Sequence, residues 1–102
     1  MIHNVYFWLK KGLTLDERAT FERELSKLPR ISYIARGFAS MPAATEERPV
    51  TDHSFDYSLL LEFKTMADHE FYQEKCPDHL HFVATCKPYF DRVVVYDSEP
   101  IH

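Results

Sequence analysis

The chain has 102 residues, of which 45 % are hydrophobic and 15 % aromatic, and its formal net charge is −4. This composition excludes a disordered chain, and the scattered Lys and Arg residues argue against a nucleic-acid partner, which needs clustered positive charge. No apolar run approaches the ~20 residues that cross a bilayer, so no membrane partner is expected either. The opening MIHNVYFWLK has no basic region ahead of its apolar residues and reads as a first strand, not a signal peptide. A cytoplasmic location is expected, with Cys76 and Cys86 reduced. The length fits one domain, expected over residues 1–98, with a short tail at 99–102.

Residues 2–10 alternate. His3, Val5, Phe7 and Leu9 share one face; Asn4, Tyr6, Trp8 and Lys10 share the other. Both faces carry large apolar groups, which predicts a central strand covered on both sides. Lys11-Gly12 predicts a turn. Thr14 followed by Glu17 is a capping box, so a helix is expected from Thr14. Phe21, Leu25 and Leu28 form its buried stripe, and Pro29 ends it. Residues 31–39 predict a second strand, and residues 40–53, with Pro42 and Pro49, a long loop.

Residues 54–64 alternate most clearly, with Phe55, Tyr57, Leu59, Leu61 and Phe63 expected on one face. Thr65 and Asp68 cap a second helix that runs to about Lys75. Pro77 suits the first turn of a further short helix. Residues 90–97, rich in β-branched and aromatic types, predict the last strand. The order is β-α-β-β-α-β, a ferredoxin-like α+β fold with two main helices on one face of a four-stranded antiparallel sheet. The other face is also apolar and needs a cover. A homodimer packed sheet to sheet is expected, forming a dimeric α+β barrel.

The stretch Phe71–Phe90, FYQEKCPDHLHFVATCKPYF, holds both cysteines and two of the six histidines. On its short helix His79 shares a face with Phe82, Val83 and Cys86, so its imidazole should point inward. Partial desolvation would keep it neutral and basic near neutral pH. Such a group suits proton abstraction next to a carbonyl. The plainer alternative is a buried histidine that ties the helix to the sheet through a backbone carbonyl. Tyr72 could donate a hydrogen bond to a substrate oxygen, or simply bury its ring. His3 could assist His79 if its strand face lines the cavity, and not if that face packs against the helices. Trp8 faces away from His3. With Phe7, Phe82 and Val83 it makes up the expected apolar ligand contacts.

No metal site is expected. His79 and His81 are two residues apart and point roughly opposite ways on a helix, whereas helical ligand pairs fall at i, i+3 or i, i+4. His53 and His69 show no evident partners. Asp78 and the overall acidity oppose a reactive Cys76. Asn4 and Trp8 form no haem-degrading pattern, and no cofactor is expected.

The opening HNVYFWLK, the motif Tyr72-Gln73…Pro77-Asp78-His79, the run HFVATCKPYF and the ending VVVYDS resemble the stress-responsive A/B barrel (Dabb) family, over essentially the whole chain. The resemblance implies a dimeric α+β barrel. Similar folds serve monooxygenases that use no cofactor, small isomerases and haem-degrading enzymes. Most Dabb proteins have no assigned reaction, and some plant relatives are stress-induced stable oligomers. One plant branch is a polyketide cyclase, whose histidine base matches His79 and whose first-strand histidine matches His3. Its tyrosine matches Tyr72 if one extra residue is allowed before Pro77; otherwise Gln73 takes the place. Cys76 stands where many relatives carry a histidine, and Leu25 replaces a further cyclase tyrosine.

Three functions follow as expectations. The first is a stress-responsive barrel protein that binds a small apolar or aromatic ligand in the cavity of a homodimer. The second is a cyclase, isomerase or lyase without a cofactor, with His79 as general base and Tyr72 and His3 orienting the substrate. The third is a purely structural oligomer with a filled barrel.

Overall fold

In the computed structural model, which describes residues 1–102, the alternating N-terminal segment forms β1 (Ile2–Leu9), and burial alternates strictly along it. The element order is completed by α1 (Leu15–Lys27), β2 (Arg36–Ser40), β3 (Tyr57–Glu62), α2 (Met66–Glu74), α3 (Pro77–Cys86) and β4 (Phe90–Ser98). All strand pairs are antiparallel, in the order β2-β3-β1-β4, so β1 is central. This is the expected ferredoxin-like α+β fold, with α3 added between α2 and the last strand.

Thr14 caps α1 with both halves of the capping box: its hydroxyl accepts from the Glu17 amide, and the Glu17 carboxylate accepts from the Thr14 amide. Gly12 holds φ at 85° in the preceding turn, a conformation that side chains with a Cβ rarely adopt. Phe21, Leu25 and Leu28 are all buried, as their spacing predicts. The chain then tightens into a 3-10 turn at Leu28–Arg30, which carries Pro29. Thr65 caps α2 through the Asp68 amide, and Pro77 occupies the first turn of α3.

The core lies between the sheet and the helices. Phe7 on β1 meets Phe21 of α1 at 5.3 Å and Phe82 of α3 at 5.9 Å between ring centroids. Tyr57, Leu59 and Leu61 of β3 close the same layer.

Two expected boundaries are corrected. The second strand begins at Arg36, not at residue 31. Ile31 and Ile34 are buried, but the Ile34 amide donates to the Ile31 carbonyl at 3.0 Å, so their spacing of three serves a tight turn. The third strand begins at Tyr57, not at residue 54. Phe55 therefore leaves the predicted face and packs its ring on Tyr6, 5.1 Å away. Asp56 sets this bend, since its amide donates to the Phe7 carbonyl and its carboxylate accepts from the Leu9 amide.

The face of the sheet away from the helices carries Tyr6, Trp8, Phe38 and Tyr96, with Phe38 52 % and Tyr96 64 % exposed. On β4, an edge strand, Val93 and Val95 are exposed on the helix side as well. No helix is long and apolar enough to cross a membrane.

Candidate functional site

The central strand places His3 on the helix side of the sheet, with 4 % of its surface exposed. The pairing of β1 with β4 sets Asp97 directly beside it. The His3 Nδ1 lies 2.5 Å from the Asp97 Oδ1. A carboxylate can only accept, so Nδ1 carries the proton and Nε2 of a neutral ring keeps its lone pair. Burial lowers the pKa of His3; the hydrogen bond and charge of Asp97 oppose that shift, and the neighbouring His69 adds to it.

Helix α2 brings His69 and Tyr72 against His3. The two occupy i and i+3 of one helix and so share a face. Ring centroids lie 4.8 Å apart for His3 and His69 and 5.8 Å apart for His3 and Tyr72. Phe63 closes this end of the layer, edge-on to His69 at 5.5 Å. Tyr72 is almost wholly buried, and burial raises its hydroxyl pKa, so the phenol stays protonated and can donate.

Helix α3 lays His79 on Tyr72, with centroids 4.3 Å apart and the planes 36° from parallel. Its pKa is lowered first by burial, then by the repulsion a second imidazolium beside His3 would meet, with a smaller contribution from His69; a hydrogen bond to the Tyr72 backbone opposes the shift. Cys76, the N-cap of α3, is buried under the same group of rings. Tyr33, from the turn before β2, packs edge-on to Phe71 at 5.3 Å. Burial, followed by the nearby Cys76, raises the pKa of its hydroxyl.

Three buried polar atoms in this region make no well-formed hydrogen bond: the Tyr33 hydroxyl, which has Cys76 beside it, His79 Nδ1, whose ring lies near the Tyr72 backbone, and His69 Nε2. A cleft of about 360 Å³ opens next to Tyr33, between Ser32–Ala35 and the start of α2 at Lys64 and Asp68. A second cleft, of about 410 Å³, lies on the opposite sheet face, among Tyr6, Trp8, Asp52, Phe55, Ser58 and Tyr96.

The fold thus brings His3, Tyr72 and His79 together, but between the sheet and the helices. The sequence reading allowed His3 to assist only if its face avoided the helices. That face does pack against the helices, and His79 lies on the same side. Phe7, Phe82 and Val83 belong to this same layer, with Phe7 and Phe82 packed into its core. Trp8 does not join them. It lies across the sheet, its indole N–H donating to the Ser54 hydroxyl and its ring covered by the Arg92 guanidinium at 4.5 Å.

His81 points away from His79, 66 % exposed, with Nε2 3.9 Å from Glu24. His53 has a partner after all, the Thr45 hydroxyl at 2.8 Å. His69, Asp97 and Tyr33 join this group without having been singled out from the sequence. The i, i+3 spacing of His69 and Tyr72 could have shown the first. Asp97 was legible only through the strand register, and Tyr33 lay hidden in the mistaken strand.

Comparison with known proteins agrees with this fold. No curated protein matches the chain in sequence. A Dabb protein with a ferredoxin-like fold from Mesorhizobium loti is 22 % identical, with a TM-score of 0.75 over 99 % of this chain and 96 % of that one. A dimeric ferredoxin-like protein of unknown function from Bacteroides fragilis is 20 % identical, with a TM-score of 0.71 over 96 % of this chain and 93 % of that one. A hydroxynitrile lyase from Passiflora edulis is 19 % identical, with a TM-score of 0.71 over 93 % of this chain and 87 % of that one. The family model for the stress responsive A/B barrel domain matches residues 2–100, and the chain belongs to that family.

Proposed function

We propose that this protein is an acid–base enzyme for a small, largely apolar carbonyl compound bound between the sheet and the helices. His79 acts as general base, and Tyr72 and His3 orient the substrate. The observation that supports this reading most is the buried contact of His79 with Tyr72, 4.3 Å between centroids, with His3 5.8 Å from Tyr72 on the other side. A buried, neutral imidazole without a well-formed hydrogen bond keeps a lone pair free to take a proton, and the Tyr33 hydroxyl nearby can donate to a substrate oxygen. The cleft beside Tyr33, about 360 Å³, falls within the size range of small-molecule sites.

In this chemistry neutral His79 takes a proton from the carbon next to the carbonyl. Electrons move into the carbonyl, and the enolate oxygen accepts a hydrogen bond from a tyrosine hydroxyl that burial keeps protonated. Return of the proton to another atom gives an isomerase. Closure of a carbon–carbon bond gives a cyclase, and departure of a leaving group a lyase. The enzyme works as a homodimer, which covers the aromatic open face of the sheet; the dimeric relative from Bacteroides fragilis supports this pairing.

The open-face cleft of about 410 Å³ favours a second reading, in which Tyr6, Trp8, Phe55 and Tyr96 hold an aromatic ligand inside the dimer. A stress role comes with either reading, by family alone. The test is deuterium exchange at the α-carbon of a panel of aryl ketones and 1,3-diketones, followed by NMR in heavy water. Wild-type protein should catalyse exchange of at least one member. His79→Ala should lose roughly 100-fold or more while circular dichroism stays unchanged. No exchange across the panel, together with an unfolded His79→Ala, would show His79 to be a structural tie.

A further inference from the structure

The geometry points to a binding site for a divalent transition-metal ion formed by His3, His69 and Asp97. The three residues come from β1, α2 and β4, and one ligand atom from each lies within 4.8 Å of the others. Two imidazoles and a carboxylate are the donor set of zinc and of other first-row metals with positions left open for water. Magnesium and calcium favour oxygen donors and are not expected here.

Several features support a built site. His3 cannot move freely, because it is buried on the central strand with its ring against Tyr72 and Phe63. His69 presents a buried Nε2 with no protein partner, so one ligand is already free of competing hydrogen bonds. Asp97 is at the other extreme: its side chain is 43 % exposed, so it can re-aim, and ions can reach the site from its side. Donors around a tetrahedral ion with bonds near 2.1 Å lie roughly 3.4 Å apart. The His3–Asp97 pair must therefore open from 2.5 Å, and the wider separations must close. Rotation of the Asp97 carboxylate and the His69 ring supplies both movements. Binding replaces the proton shared by His3 and Asp97, so it should release a proton and weaken in acid.

This inference does not require proton transfer by His79. It makes His3 a ligand, and an ion there would stand beside the stacked Tyr72 and His79 rings. His79 and His81 take no part in this site; the strand register joins two ligands 94 positions apart.

The test is titration of chelator-treated, tag-free protein with Co²⁺ and Zn²⁺, followed by visible absorption and calorimetry. The expected result is one ion per chain, with a d–d spectrum for Co²⁺ and proton release on binding. His69→Ala and Asp97→Asn should each weaken binding roughly tenfold or more, with circular dichroism unchanged. Both positions tolerate change better than His3, since His69 is half-buried and Asp97 exposed. Absence of binding at micromolar protein would overturn the inference. Binding that survives both substitutions would also overturn it, and would place the ion on exposed histidines such as His53, His81 or His102.

Discussion

Tyr72 and His79 lie ring on ring, 4.3 Å between centroids, across the break between α2 and α3. The break is what allows this. Seven residues apart on one continuous helix, the pair would stand about two turns apart, near 10 Å. Cys76 and Pro77 turn the chain so that the two faces meet over His3.

This contact separates two roles. Tyr72→Phe keeps the ring and removes only the hydroxyl, so the stack and the fold should remain. On the proposed mechanism it should slow ketone α-exchange by roughly 100- to 1000-fold. Exchange kinetics beside the urea midpoint give the check: a lower midpoint with unchanged turnover would assign the hydroxyl to stability alone.

Acid should weaken the fold through His79 and His3. Burial lowers the pKa of both below the ordinary 6.5. As pH falls through that value the unfolded chain takes up protons that the folded chain refuses, so stability drops. The loss begins near 6.5 and continues until the lowered folded values are passed. Urea midpoints for chelator-treated protein should be higher at about pH 7.5 than at about pH 5.5, and His79→Phe should narrow the gap. An equal gap in the variant would show that His79 is not among the groups responsible.

Gly37 should resist substitution. A Cβ there would lie 2.9 Å from both the Leu60 carbonyl oxygen and Leu61 Cδ2, and 3.1 Å from Pro29 Cβ. The backbone oxygen and the proline ring cannot swing away. Gly37→Ala should therefore cost about 1–3 kcal/mol, read from chemical denaturation. A neutral result would mean that β2, an edge strand, shifts to make room.

The open face should assemble. Phe38 and Tyr96 are more than half exposed on a face that also carries Tyr6 and Trp8. Light scattering at micromolar concentration should give twice the chain mass, and Phe38→Asp should shift the mass towards one chain. A monomeric wild-type protein would contradict the sheet-to-sheet pairing.

Much of the fold was legible because local chemistry and periodicity agreed. The Thr14 and Thr65 caps, the Phe21-Leu25-Leu28 stripe and the break at Pro77 each rest on residues close in sequence. The failures arose where a long-range bond decided the outcome. Phe55 alternates with Tyr57, yet the Asp56 bonds to β1 turn it to the other face. Ile31 and Ile34 fit a strand by composition, but pairing starts only after them, where the Ala35 amide donates to the Glu62 carbonyl of β3. The site divided in the same way. His79 and Tyr72 were visible on helix faces, whereas the His3–Asp97 pair depends on the β1–β4 register. Which sheet face the helices cover also lay beyond an alternation in which both faces are apolar, and that is why Trp8 was grouped with Phe7.

The central claim is that the working site lies on the helix side of the sheet. Chemical-shift mapping with an exchange-active aryl ketone tests it most directly. The account predicts perturbation of His79, Tyr72, His3 and the Tyr33 turn, with Tyr6, Trp8, Phe55 and Tyr96 unmoved. Perturbation confined to those four aromatic residues would contradict it and move the site into the dimer's barrel.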